Sequence, residues 1–384
     1  MTTQSEPIVI IGSGLAAYTV ARELRKLDTS VPIVLVTKEQ GDFYSKPALS
    51  TALAQKKTAA QLVAATSEQM QAQINIKILA KTDVLSIDVN TRQLRTSLGQ
   101  FSFSKLVLAV GAAPIMLPID GDGASDVLSV NELADYATFQ LKLQGSRRVV
   151  IIGAGLIGCE FANDLLSAGI TPVVVDPNAL PLASLIPSAA GAQLRDSLAV
   201  AGVDWRLGTT VTAVHHTSTG YSVILGNGES LEAKVVLSAV GLRPRIDLAK
   251  AAGIHVNRGI VVDALGRTSA ADVYALGDCA EYACGLLPFV QPIMVAARHL
   301  AQTLTGSPSA IQFPHMLVTV KTPTHPVVVH KPAASIQGTW HAEDNQNQDG
   351  MTLWFKDELG EVHGFVLTGV ETKKRLAATK LLAA

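Results

Sequence analysis

Two stretches of this chain carry glycines spaced for holding a diphosphate. The first is Gly12-Ser13-Gly14-Leu15-Ala16-Ala17, set directly after the apolar run Ile8-Val9-Ile10-Ile11 and before a helical pattern through Leu24. The second is Gly153-Ala154-Gly155-Leu156-Ile157-Gly158, which follows Val149-Val150-Ile151-Ile152 and leads into Cys159-Glu160-Phe161-Ala162. In each, a strand enters the turn and a helix leaves it. The first glycine permits the tight turn, and the second lets backbone N–H groups approach a pyrophosphate. A small residue at the sixth place, Ala17 or Gly158, lets helix and strand pack closely. The positive end of the helix dipole then faces the anion. A single turn of this kind could serve packing alone, but two of them 141 residues apart predict an internal duplication.

A nucleotide-binding unit usually ends its second strand in an acid that holds ribose hydroxyls. Val173-Val174-Val175-Asp176 does so, with Asp176 23 residues after Gly153. A carboxylate there prefers a free 2′-hydroxyl over a 2′-phosphate, which favours NADH. In the first unit Ile33-Val34-Leu35-Val36 ends instead in Thr37-Lys38-Glu39, where Glu39 is the nearest carboxylate. One of the two dinucleotides should be a flavin, because a flavin and a nicotinamide exchange a hydride whereas two nicotinamides would have no purpose together. Thr268 to Ala280 supplies a third element, a strand ending in Gly277-Asp278 at an expected helix start. A carboxylate placed there can accept hydrogen bonds from the ribityl hydroxyls of a flavin.

The elements around these turns read as α/β. Short Val/Ile/Leu runs are how strands buried on both faces of a parallel sheet appear. Matching strands close the two units, Leu106 to Gly111 and Val235 to Gly241. Strands are expected at Ile78 to Leu85, Gln93 to Thr96, Phe101 to Phe103, and Tyr221 to Leu225 before Gly226-Asn227-Gly228. Residues 51–75 read as helical, as do Asn131 to Leu143 and a turn capped by Ser45 with Pro47 in its first turn. The polar stretch Asp120 to Asp126 is the expected linker. Beyond Gln312, strands are expected at Val318 to Pro323, Val327 to Val329, Met351 to Phe355 and Phe365 to Leu367, then a terminal helix with Lys373, Lys374, Arg375 and Lys380. The expected domains are 1–117 with 245–310 for the flavin, 118–244 for the nicotinamide, and a small α+β domain over 311–384.

Composition closes off other classes. Hydrophobic residues are 48% and charged residues 16%, which excludes a disordered chain. The mean hydropathy of +0.30 raises a membrane question. No window nears the roughly 18 consecutive apolar residues needed to span a bilayer, so no membrane insertion is expected. The net charge of −1 gives no field for nucleic acid. The start Met1-Thr2-Thr3-Gln4-Ser5-Glu6 lacks a basic-then-apolar signal, so a cytoplasmic location is expected. Cys159, Cys279 and Cys284 have neither disulfide nor C-x-x-C spacing and are expected to be buried thiols; no metal set is expected.

With these elements in place, the chain resembles the two-dinucleotide-binding flavoprotein reductases, and within them the branch that reduces rubredoxin. The resemblance covers nearly the whole chain and rests on Gly12-Ser13-Gly14, Tyr44-Ser45-Lys46-Pro47, Gly153 to Glu160, Gly241-Leu242-Arg243-Pro244, Gly277-Asp278 and Thr319-Val320-Lys321-Thr322-Pro323. It implies non-covalent FAD held by Gly12, Gly14, Leu15, Ala16, Glu39, Lys46, Pro47, Val84, Gly111, Gly277, Asp278, Val290 and Lys321. It implies NADH held by Gly153, Gly155, Leu156, Ile157, Gly158, Glu160, Asp176 and Gly241. Lys46 and Glu160 would form a pair beside the reacting rings. A helix from about Pro292 would aim its N-terminus at the flavin. Many ferredoxin reductases of the superfamily carry an aromatic residue where Val320-Lys321 stands, which leaves the role of Lys321 open.

The resemblance further implies electron transfer from NADH, through the flavin, to an acidic one-electron iron carrier, rubredoxin, in support of alkane hydroxylation. Alternatives are a ferredoxin or flavorubredoxin as acceptor, or a flavin- and NADH-sensing interaction protein. No C-x-x-x-x-C stands between the first turn and the second, no C-x-x-C in the second unit and no cysteine in Tyr44 to Ser50. No thiol relay is therefore expected. Lys46→Ala is expected to slow flavin reduction by NADH, and unchanged stopped-flow kinetics would contradict that placement.

Overall fold

The computed structural model describes residues 6–343 and 349–383, so Met1–Ser5 and Ala384, the ends of the expected outer domains, lie outside the described residues. The chain groups into two compact units. One comprises 6–46, 60–113 and 242–314, and the other 47–59, 114–241 and the described part of 315–383.

The first unit is built on a five-stranded parallel sheet in the order Val273–Ala275, Lys105–Leu108, Ile8–Ile11, Ile33–Val36, Lys77–Leu79. All four residues of Ile8–Ile11 are buried, as a central strand covered on both faces requires. The helix Leu15–Leu27 buries every residue from Ala16 to Ala21 and then Leu24, so its first half is covered all round and its last turns on one side only. It packs along the helix Val290–Leu304.

The second unit repeats the plan in a four-stranded parallel sheet, ordered Asp204–Leu207, Thr171–Asp176, Arg148–Ile152, Val235–Ser238. The repeat extends to single hydrogen bonds. Gly12 N–H donates to Val36 O and Gly153 N–H to Val175 O, each at 2.8 Å. Ala109 N–H donates to Ile11 O at 2.9 Å, and Ala239 N–H to Ile152 O at 2.7 Å. Each unit also inserts a three-stranded antiparallel ribbon, Val84 to Ser102 in the first and Val211 to Ala233 in the second. The fold is thus two doubly wound α/β sheets with a small third sheet. That sheet is antiparallel, ordered Val318–Val320, Val327–His330, Val362–Thr368, Thr352–Lys356, Thr339–Ala342. Among the described residues no helix is long and apolar enough to cross a membrane.

Several local expectations need correction. The turn at Pro47 is a 3-10 helix, Lys46–Thr51, not an α-helix. Residues 51–75 are interrupted by the strand Val63–Ala65, which pairs with Phe43–Tyr44. Ile78 to Leu85 breaks into two strands around Lys81, whose φ is +51°. Asp120 to Asp126 is pinned rather than loose, since Gly123 N–H donates to Val214 O at 2.9 Å. Gly277-Asp278 lies in a 3-10 turn before the strand Ala280–Tyr282, and the long helix starts at Val290 with Pro292 in its first turn. Lys373 and Lys374 sit in the 3-10 turn Gly369–Lys374, and only Arg375 falls within the α-helix Arg375–Thr379. Cys284 is exposed, unlike Cys159 and Cys279, because it occupies the turn between the strands Ala280–Tyr282 and Gly285–Leu286.

Gly158 fixes how closely its helix rides on the sheet, since a Cβ there would lie 2.0 Å from Gly153 O. Gly158→Ala is expected to cost about 1–3 kcal/mol through overpacking, read as a lowered melting temperature. An unchanged Tm would mean that the helix is free to move away.

Candidate functional site

The glycines of the two turns have different reasons to be glycine. Gly12 and Gly153 have φ of +122° and +108°, and a Cβ on them would lie 2.2 Å from Ala109 O and 2.8 Å from Ala239 O. Backbone conformation and packing explain both. Gly14 and Gly155 have φ of −78° and −72°, which any residue adopts, and an added Cβ would meet nothing within 4 Å. Nothing in the protein requires glycine there. What the missing side chains preserve is open space at the start of each helix. Neither helix has a side-chain cap or an acidic residue in its first turn. Their first amide N–H groups are left for an anionic acceptor, so a dinucleotide diphosphate fits both cradles. Leu15 and Ala16, and Leu156 and Ile157, form the first turns above them.

The strand ends differ. Asp176 is buried, and its Oδ2 accepts a hydrogen bond from Ala154 N–H at 2.7 Å. Its Oδ1 accepts from Asn178 N–H at 2.8 Å and from Asn178 Nδ2 at 2.9 Å. The strand register, Ile11 opposite Val36 and Ile152 opposite Val175, makes Thr37 the counterpart of Asp176. Thr37 is also buried and ties to the glycine turn, with Thr37 Oγ1 2.8 Å from Ser13 Oγ. A hydroxyl pair thus does in the first unit what the carboxylate does in the second. Glu39 lies two residues further on, half-buried, where Tyr44 OH donates to its Oε2 at 3.3 Å.

The other residues singled out in the first unit spread along its strand ends. Gly277, with φ +82°, lets the chain pass Ala16, since a Cβ there would lie 2.9 Å from that alanine's Cβ. Burial pushes the Asp278 carboxyl above its ordinary range, and the Lys46 charge partly offsets this. No hydrogen bond from the described residues reaches that carboxylate. A desolvated acceptor without protein donors suits a ligand rich in hydroxyls, such as a ribityl chain. Gly111, at φ +65°, accepts from Arg245 N–H at 3.0 Å. Val84 opens its ribbon strand, packed on the core, and Val290 opens the long helix at 42% exposure.

In the second unit Gly241, at φ +111°, accepts from Ile115 N–H at 3.1 Å. Glu160 is 2% exposed and takes a different partner from the one expected. Its carboxylate holds Lys321 Nζ at 3.0 Å and Lys321 N–H at 2.9 Å, and accepts from Ser50 Oγ. Within its own unit, then, the ion pair of Glu160 is with Lys321, a residue whose role the sequence left open. The same ammonium donates to Ser50 Oγ at 3.0 Å and to Pro47 O, which occupies its three donors.

Sequence reading missed the neighbours of Glu160. Asp164, one turn on, accepts Leu53 N–H at 2.9 Å and Ala54 N–H at 2.8 Å. Asn163 Oδ1 accepts Thr324 N–H at 3.1 Å. Burial raises the Asp164 carboxyl to about 6; the bonds from Ala54 and Leu53 and the Lys321 charge oppose this, while Glu160 adds to it. The signal was present as polar residues inside Leu156–Ser167, a helix otherwise apolar all round. Burial pushes the Cys159 thiol up and the Cys279 thiol up to about 11, so neither of these two is held as a reactive thiolate.

Because Gly155 meets no packing demand, Gly155→Ala is expected to leave thermal stability unchanged and to raise KM for NADH about tenfold or more by filling the cradle. A lowered Tm with unchanged KM would contradict this.

Comparison with known proteins agrees with this geometry. Residues 6–304 match the family model described as pyridine nucleotide-disulphide oxidoreductase, and residues 310–382 match one described as rubredoxin binding C-terminal domain. The chain is 44% identical to the Rubredoxin-NAD(+) reductase of Acinetobacter baylyi over 98% of each chain. It is 36% identical to the Nitric oxide reductase FlRd-NAD(+) reductase of Aliivibrio fischeri over 96% of each. Among solved structures it resembles the covalent putidaredoxin reductase–putidaredoxin complex, at 26% identity and a TM-score of 0.88, covering 99% of this chain and 94% of that one. The chain belongs to the pyridine nucleotide-disulphide oxidoreductase family.

Proposed function

We propose that this protein is an NADH-dependent flavoprotein that reduces rubredoxin, with FAD in the first cradle and NADH in the second. The carrying observation is the pair of matched cradles whose strand ends differ, a carboxylate at Asp176 and a hydroxyl pair at Ser13 and Thr37. Asp176 suits the free ribose 2′-hydroxyl of NADH. Asp278 suits ribityl hydroxyls, which points to FAD in the other unit. The match of residues 310–382 to a rubredoxin-binding model supports the choice of acceptor.

FAD, when bound, supplies the conversion of a two-electron donor into one-electron deliveries. In balance, one NADH yields NAD+, a proton to solvent and two electrons, and two rubredoxin irons each pass from Fe3+ to Fe2+. The chain's residues bind and orient. The N–H groups after Gly14 and Gly155 hold the diphosphates, and the helix from Val290 presents its positive end. Lys46 lends positive charge near Asp278, while Glu160 holds Lys321 and the turn at Ser50 in place. No side chain is needed as a general acid or base. Residues 1–117 with 245–310, 118–244 and 311–384 serve as the flavin, nicotinamide and partner-facing domains. A cytoplasmic role supporting alkane hydroxylation belongs to the same proposal and rests on the resemblance.

The relative named for FlRd makes a flavorubredoxin-type acceptor the second reading. The assay is steady-state reduction of purified rubredoxin by NADH, set against ferredoxin and flavorubredoxin. Rubredoxin is expected to show the highest kcat/KM. Turnover with ferredoxin or flavorubredoxin and none with rubredoxin would overturn the proposal.

A further inference from the structure

The rubredoxin-binding model spans residues 310–382 without saying which surface meets the partner. One stretch there stands apart in charge. The whole chain is near neutral at −1, yet Lys373, Lys374, Arg375 and Lys380 crowd its end with Glu371 the one acid beside them.

The short helix Arg375–Thr379 is seated by Ala378, 1% exposed in a cluster with Val328, Phe365 and Leu367, against which Leu382 also packs. Positions 378 and 382, one turn apart, set the inner side. Lys373, Leu376 and Lys380 recur at intervals of three and four on the side away from Ala378, and all three are exposed. Leu376 is 71% exposed, with Leu381 and Val370 also open nearby in sequence. Lys374 is committed to Glu371 and Glu343. Among the described residues no ion pair reaches Lys373, Arg375 or Lys380. The surface is an apolar centre with a cationic rim that no ion pair among the described residues neutralises.

We infer that this face, Leu376 rimmed by Lys373, Arg375 and Lys380, docks rubredoxin. The inference rests on the proposed function and deepens it. An acidic carrier complements the rim, so opposite charges steer encounter and set the approach. A small apolar centre suits a partner that must leave after each electron, since brief redox encounters bury little area.

The test compares the FAD-loaded wild type with Lys373→Glu/Lys380→Glu. The readouts are NADH-driven reduction of purified rubredoxin at low and high salt, and of ferricyanide, which reports the NADH-to-flavin half alone. The variant is expected to lose about tenfold in kcat/KM for rubredoxin at low salt, with the gap narrowing at high salt and ferricyanide turnover unchanged. Rubredoxin turnover equal to wild type at low salt overturns the docking face and leaves the proposed function standing. A wild type that does not reduce rubredoxin overturns both. Should the double variant also lose ferricyanide turnover, Lys373→Gln/Lys380→Gln decides. It is expected to show a smaller loss in the same direction, and no loss overturns the docking face.

Discussion

The constraint on which this structure depends is how closely a strand end can pass its neighbour. Gly12 and Gly153 leave their strands against the carbonyls of Ala109 and Ala239, at distances that admit no Cβ. That approach tightens each turn enough to bring the following helix back over the sheet. Two residues on the constraint reverses, and Gly14 and Gly155 stand in open space. Close packing at one glycine and emptiness at the next together make a cradle for phosphate oxygens. Everything downstream, from the buried strands to the strand-end hydroxyls and acid, serves to hold two such cradles in shape.

A second level of order comes from buried polar residues. In the helix Leu156–Ser167, Glu160, Asn163 and Asp164 point into surroundings where an unpaired carboxylate would be costly. Each is met by another segment: Ser50 and Lys321 at Glu160, Thr324 at Asn163, Leu53 and Ala54 at Asp164. One helix thereby fixes the 47–59 segment and the start of the C-terminal sheet. Burial raises Asp164 despite its two backbone donors and the Lys321 charge, and Glu160 one turn away adds to the rise.

Much of the architecture was legible because it is written in local pattern. The doubly wound sheets follow from apolar runs that end in glycine, and Asp176 follows from its place at a strand end. What was not legible depends on pairing across the chain. Nothing near Glu160 announces Lys321, because the two are brought together by folding and lie far apart in sequence. The equivalence of Thr37 and Asp176 needs the strand register, and spacing alone pointed past it to Glu39. The strand Thr339–Ala342 was missed because its four residues show no apolar run and are mostly exposed at the sheet edge. Cys284 read as buried because cysteine usually is, and the hairpin turn that exposes it is set by its neighbours.

The central claim is that the two cradles hold different dinucleotides. A diffraction structure of the protein grown with FAD and NADH tests it most directly. The FAD diphosphate is expected against the N–H groups after Gly14, with ribityl hydroxyls at Asp278. The NADH diphosphate is expected after Gly155, with a ribose at Asp176. A diphosphate bound elsewhere, or the two cofactors exchanged between the cradles, would contradict it.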